Sequence, residues 1–274
     1  MTFKILAVVN QKGGVGKTTT AVNLAAALGK IKRKTLLLDL DPQGNATMGS
    51  GVDKYQLELS MNDVLLNTAS LESVILNTPF SYCLAPANGD LTEAEVLILK
   101  QQGQQGSQGQ DKKLAQALKT LENDFDWIII DCPPTLNMLT LNALVAAHGI
   151  LIPMQCEYYA LEGLTALLGT VEQIREVNNP SLSIWGLVRT MHDPRNRLST
   201  DVGLQLQAHF GNTLFKTIIP RNVRVAEAPS HGLPALYYDP LSKGAQAYLS
   251  LAKELLKKTS RITNHKKVLN HAEA

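Results

Sequence analysis

Apolar residues along this chain gather into short unbroken runs, and between the runs they recur at helical spacing. Ile5-Leu6-Ala7-Val8-Val9, Leu36-Leu37-Leu38, Ile128-Ile129-Ile130 and Ile150-Leu151-Ile152 are of the first kind. Consecutive apolar positions suit strands covered on both faces, the condition of central strands in a parallel sheet. The pattern predicts strands over residues 4–10, 35–40, 81–85, 127–131, 149–153, 183–189 and 216–219. It predicts helices over residues 17–29, 61–66, 92–99, 112–122, 136–147, 160–177, 201–209 and 243–257. Strands and helices in alternation imply an α/β protein with a mostly parallel, twisted sheet and helices on both faces.

Two segments depart from the pattern. Residues 101–110 read Gln-Gln-Gly-Gln-Gln-Gly-Ser-Gln-Gly-Gln, a low-complexity stretch expected to be a flexible surface insertion. Residues 259–274 lose the apolar period and carry Arg261, Lys266 and Lys267, so a basic, disordered tail is expected after a single domain over 1–258. A length of 274 residues is ample for a proper core. Lys and Arg number 26 against 24 Asp and Glu, so no global field marks a nucleic-acid or membrane binder, and any such surface must be a local patch. Cys83, Cys132 and Cys156 lie far apart without metal or redox spacing and read as reduced core thiols. The chain enters its first strand without a charged leader, and no apolar run reaches membrane-spanning length, so a soluble cytoplasmic protein is expected.

Chemistry enters between the first strand and the first helix, where residues 12–19 read Lys-Gly-Gly-Val-Gly-Lys-Thr-Thr. Gly13, Gly14 and Gly16 let the backbone wrap an anion with its N–H groups inward, and the following helix presents its positive end. Lys17 reaches the outer phosphates and Thr18 supplies a hydroxyl for magnesium. The ordinary form of such a loop opens on glycine five residues before Gly16; here Gln11 holds that place and a second lysine, Lys12, follows. Leaving directly from the strand, Lys12 is badly placed to fold onto its own loop's phosphates and better placed to reach a nucleotide in a facing subunit.

Two strand ends add carboxylates. The second strand runs into Asp39-Leu40-Asp41-Pro42-Gln43-Gly44-Asn45, at the edge where open α/β sheets collect ligands. Of the pair, Asp41 is the better candidate to orient an attacking water, with Asp39 an outer magnesium or structural partner. The fourth strand ends Ile128-Ile129-Ile130-Asp131, and a strand-end aspartate downstream of a phosphate loop suits indirect retention of Mg²⁺.

The lysine-first loop, the Asp-Leu-Asp-Pro-Gln-Gly-Asn segment, the Ile-Ile-Asp-Cys-Pro-Pro strand end, and the later Ile-Ile-Pro-Arg-Asn-Val-Arg and Glu-Ala-Pro-Ser-His-Gly together resemble the ParA/Soj chromosome-partitioning ATPases over residues 4–257. The resemblance implies a P-loop NTPase-like ATPase using ATP and Mg²⁺. Lys12 would be the signature lysine acting across an ATP-sandwiched homodimer, as an arginine finger does in trans. Gly13, Gly14, Val15, Gly16, Lys17, Thr18 and Thr19 would hold the phosphates, with Thr18, Asp41 and Asp131 around the metal and Asp41 the hydrolytic aspartate. Pro220 and Asn222 would contact adenine, and Glu157 the partner's nucleotide. Arg195 and Arg224, with Arg189, Arg197 and Arg221 as neighbours, would bind DNA without reading sequence, on the nucleoid. Accessible point charges suffice for that, and no recognition-helix signature or aromatic interleaving accompanies these arginines.

The resemblance further implies a ParB/Spo0J-like partner that stimulates hydrolysis. No helix-turn-helix segment precedes the loop, so the small chromosomal type is expected. Two alternatives stay open. A MinD-like membrane ATPase would need an amphipathic carboxy-terminal anchor, whereas Leu249, Leu251, Leu255 and Leu256 can be explained as one buried face, so no stable membrane association is expected. A small-molecule phosphoryl-transfer enzyme would need a substrate pocket of convergent polar groups.

Overall fold

A computed structural model describes residues 3–105, 109–121, 123–158 and 160–272. The strands are β1 (Lys4–Val8), β2 (Thr35–Asp39), β3 (Leu76–Asn77), β4 (Cys83–Ala85), β5 (Trp127–Asp131), β6 (Gly149–Gln155), β7 (Ser183–His192) and β8 (Leu214–Pro220). The helices are α1 (Lys17–Lys30), α2 (Asn45–Met48), α3 (Met61–Leu66), α4 (Leu71–Val74), α5 (Leu91–Gln105), α6 (Lys113–Leu118), α7 (Met138–Ala146), α8 (Ala160–Val177), α9 (Arg197–Phe210), α10 (Val223–Glu227), α11 (Ala235–Tyr238) and α12 (Lys243–Ala272).

The strands form one sheet in the order β3-β4-β2-β5-β1-β6-β7-β8. Every described pairing is parallel except that of β3 with β4. The expected α/β architecture is therefore present. Alternation along β1 explains the two core layers: Ile5, Ala7 and Val9 face one layer, with α3, α5, α6 and α7, whereas Leu6 and Val8 face the other, with α1 and α12. Strand β1 lies between β5 and β6. Its carboxyl end is thus a point where neighbouring connections leave in opposite directions, the usual crevice for ligands in such sheets.

Several boundaries differ from those predicted. The expected insertion over 101–110 is in part helix, because α5 continues to Gln105. Glutamine is a good helix former, and a single Gly103 costs only about 1 kcal/mol relative to alanine. Residues 106–108 lie outside the described residues. Over the span expected to form a tail, α12 runs on to Ala272; residues 260–272 contain neither glycine nor proline to stop a helix. On α12, Leu251 and Leu255 are buried, while Leu249 and Leu256 pack partly against the same layer. Over residues 245–256 the apolar face of α12 is thereby taken up by the core. Among the described residues no helix is long and apolar enough to cross a membrane.

Candidate nucleotide site

The loop after β1 is tied to its surroundings by polar bonds from neighbouring strands. Asn10 donates its Nδ2 to the Pro153 carbonyl of β6 at 2.8 Å, and its Oδ1 accepts from the Lys12 amide at 3.0 Å. Thr190 of β7 donates its hydroxyl to the Val15 carbonyl at 2.8 Å. Between these anchors the chain turns through Gly14 and Gly16, at φ +75° and +87°, values that L side chains rarely adopt. A Cβ built on Gly13, Gly14 or Gly16 would meet nothing within 4 Å, so the concave face of the loop is open. Gly16 caps α1 with no side-chain hydrogen bond, and the first turn holds no acidic residue. The leading amides of α1 therefore remain directed at an anion.

Two cations belong to this loop and are held differently. Lys17 is only 7% exposed, and its Nζ donates to the Lys12 carbonyl at 3.2 Å. Burial pushes its pKa down, against the pull of Asp131 and Asp41. Lys12 is 44% exposed and forms an ion pair with Glu157, itself 42% exposed. Glu157, expected near a partner's nucleotide, thus lies on the signature lysine of its own chain.

Three aspartates gather at the ends of β2 and β5. Asp131 is fully buried, and neither of its oxygens has a hydrogen-bond partner of good geometry. Burial and then Asp39 raise its pKa well above the carboxylate range, with the Thr18 hydroxyl and Lys17 acting in the opposite direction. A buried carboxylate in that condition is costly unless a cation joins it, and the Thr18 hydroxyl beside it supplies a second hard oxygen. These residues fit Mg²⁺. Among the described residues no cluster of three His, Cys, Asp or Glu could hold a metal ion.

Asp39 is also fully buried but is satisfied. Its Oδ1 accepts from the Asp41 amide at 3.1 Å, and its Oδ2 from the Thr47 amide and hydroxyl, each at 2.8 Å. Burial pushes its pKa up to about 6 against those hydrogen bonds. Asp41 is buried at the loop mouth, its Oδ1 accepting from the Gln43 amide at 2.9 Å. Its charge acts on both Lys17 and Asp131. Lys12, residues 13–19, Asp41 and Asp131 are accordingly brought to one site.

The remaining expected residues lie along the exits of β7 and β8. Pro220 ends β8 and pairs with His192, two residues beyond Thr190. Asn222 caps α10 through the Val225 amide at 3.2 Å, and the Arg221 amide donates to the His192 carbonyl at 3.0 Å. Two adjacent loops therefore carry the arginines. Arg195 has an 87% exposed side chain and grips Asp193 through two hydrogen bonds of 2.9 and 2.7 Å. That grip holds the Asp193 carboxyl down at about 2. Arg224 meets Glu227 at 3.1 Å and Asp239 at 3.5 Å. Arg197 and Arg221 are exposed. Arg189 differs from the expectation: its Nη2 donates to the Phe215 carbonyl at 3.5 Å, its Nε is buried without a partner, and its side chain lies over Gly203. Half-buried under α9, it is no accessible point charge.

Two clefts flank the loop. One of ≈ 420 Å³ is lined by Thr18, Thr19, Asn23, Asn45, Met48 and Pro229. The other, of ≈ 440 Å³, is lined by Gln11, Lys12, Val15, Gln155 and Glu162 among others. Asn10, Thr47 and Thr190 had escaped the motif reading. Asn10 carried a faint signal, a polar residue ending an apolar strand directly before the loop, whereas Thr190 carried none.

Comparison with known proteins agrees with this geometry. The family model for the AAA domain matches residues 3–184. The sporulation initiation inhibitor protein Soj of Bacillus subtilis is 46% identical, over 92% of this chain and 98% of that protein. The chromosome partitioning protein ParA of Myxococcus xanthus is 44% identical, over 93% of this chain and 88% of that protein. A Mycobacterium smegmatis structure described as cobyrinic acid a,c-diamide synthase, with bound ATP analogue and magnesium, superposes with a TM-score of 0.81 at 38% identity, covering 94% of this chain and 96% of that one. The septum site-determining protein MinD of Pyrococcus horikoshii, complexed with Mg-ADP, gives 0.74 at 27% identity, over 92% and 96%. With a phosphate loop, a buried strand-end aspartate and relatives aligned along nearly its whole length, the chain belongs to the ParA/Soj family of chromosome-partitioning ATPases.

Proposed function

We propose that this chain is a nucleotide-gated partitioning switch: ATP with Mg²⁺ joins two copies face to face, the joined pair holds double-stranded DNA without regard to sequence, and hydrolysis lets both go. The observation that carries the reading is Asp131, a buried carboxylate without a hydrogen-bond partner beside the Thr18 hydroxyl and the Lys17 ammonium. Bound magnesium would offset charge on the terminal phosphates. The chain's own groups do the rest. The open amides of residues 13–19 and Lys17 cradle the triphosphate, and Asp41 orients the attacking water. Lys12 leaves Glu157 to neutralise the partner's triphosphate, which makes nucleotide occupancy and pairing one event. Pro220 and Asn222 face the base.

Arg195, Arg197, Arg221 and Arg224 supply the DNA face, and a ParB-like protein with a basic segment shortens the bound state. The chain would work in the cytoplasm on the nucleoid. Gel filtration and DNA retention with ADP, ATP and a non-hydrolysable analogue test the reading together. Pairing and retention with the analogue, but not with ADP, are expected; a chain that stays monomeric when saturated with the analogue refutes it.

The likeness to a structure described as a diamide synthase favours one other reading, a metabolite-transforming ATPase. ATP turnover stimulated by a small carboxylic acid and indifferent to DNA would select it.

A further inference from the structure

Asp41 projects from a short loop whose two ends are pinned by one carboxylate. Asp39 binds the Asp41 amide through Oδ1 and the Thr47 amide and hydroxyl through Oδ2, so it closes residues 39–47 into a ring. With three donors on it and no exposed surface, Asp39 has no freedom to approach a nucleotide. The ring is fastened to the sheet by Thr47, whose hydroxyl donates to Asp39 and accepts from the Ala87 amide at 2.9 Å. Only a hydroxyl can do both at once. Gly44, at φ +60°, lies against the same residue: a Cβ there would come within 2.6 Å of the Ala87 carbonyl. The ring therefore rests on the segment leaving β4, and the Asp41 position follows from that seat.

We infer that Thr47 is a positioning residue for ATP hydrolysis, acting through Asp39 and Ala87 to hold Asp41 where water must be oriented. The inference rests on the reading of Asp41 as the hydrolytic aspartate. Thr47→Val keeps the shape of the side chain and removes the shared hydroxyl. A displacement of about 1 Å at such a group costs on the order of 100-fold in rate.

The experiment measures kcat and KM for Mg-ATP, with affinity for a non-hydrolysable analogue, on the full chain. Thr47→Val should lower kcat about 10- to 100-fold, leave analogue affinity within about threefold because residues 12–19 are untouched, and be rescued by Thr47→Ser. In the Asp41→Ala background Thr47→Val should cause no further loss, since nothing remains to position. A role confined to stability would lower the melting temperature and leave kcat per folded molecule unchanged, overturning the inference, as would full additivity with Asp41→Ala. Should Thr47→Val fail to fold, Asp39→Asn, whose single amide oxygen can accept at only one end of the ring, must show the same split between kcat and affinity. If Asp41→Ala alone hydrolyses ATP normally, the reading of Asp41 fails, a result distinct from normal turnover in Thr47→Val beside a dead Asp41→Ala.

Discussion

At the exits of β1, β2 and β5 Lys17 and three aspartates are buried and only Lys12 is exposed, whereas at the exits of β7 and β8 the arginines Arg195, Arg197, Arg221 and Arg224 stand in solvent. Lys17, Asp39, Asp41 and Asp131 lie together under the loop mouth. Arg195 and Arg224 sit on the surface, each turned onto carboxylates of its own chain. In the buried half every charge is felt strongly and an uncompensated one is costly. In the exposed half solvent screens each pair, and little free energy is needed to turn an arginine from Asp193 or Glu227 to a phosphate. The first arrangement suits an all-or-none ligand, the second a polyanion gathered by many weak contacts.

Lys17→Ala should break the buried half outright. Loss of one partner of a desolvated charge pair costs about 2–5 kcal/mol, so ATP affinity measured by calorimetry should fall at least 30-fold, and affinity unchanged within about threefold would disprove the assignment. The exposed half should yield to Arg195→Glu with Arg224→Glu. DNA retention should drop about 100-fold near physiological salt, and the dependence of affinity on salt should flatten by roughly two phosphate contacts per chain. ATP-dependent pairing should survive; its loss would tie the two halves more closely than the geometry does.

Asp131→Asn sharpens the contrast from the other side. Replacing a carboxyl whose charged form is disfavoured by burial should raise the stability of the metal-free chain while abolishing the magnesium dependence of ATP binding. Thermal melts with and without chelator decide this. Glu157→Gln should release Lys12 and lower the ATP needed for half-maximal pairing by no more than about fivefold, the range of an exposed ion pair.

A further effect concerns pH. The carboxyl of Asp39 titrates near 6 in the fold, above its unfolded value. Between about pH 4 and about pH 6 the folded chain binds more protons than the unfolded one, so stability declines as pH rises through that window and stays lower above it. The raised Asp131 acts in the same sense. Melting temperatures of the metal-free chain should therefore be higher near pH 5 than near pH 7.5; the opposite slope would deny both shifts.

The chain was most legible where a single local pattern decided the outcome. Strands β1, β2, β5 and β6 announced themselves as unbroken apolar runs, and the loop of residues 12–19 is a contiguous motif, so its location needed no tertiary knowledge. Strand β3, two exposed residues long, and the four-residue helices α2, α4 and α11 are too short to show a period. The contacts that shape the site lay beyond reach for another reason. Thr190 meets Val15 across 175 residues, and Lys12 meets Glu157 across 145. Such bonds depend on strand order, which no window of sequence contains. Arg189 and Arg195 are the same residue type on one motif stretch, and only the position of α9 distinguishes the sheltered guanidinium from the accessible one.

The hydroxyl of Thr190 fastens the Val15 carbonyl to a strand that, three residues later, delivers Asp193 and its neighbour Arg195. Thermodynamic linkage has no preferred direction. Whatever factor a bound triphosphate contributes to the grip on a polyanion, a polyanion already seated there must return to the residence of the triphosphate. On the proposed function, a cargo would then also be an allosteric effector of its own carrier.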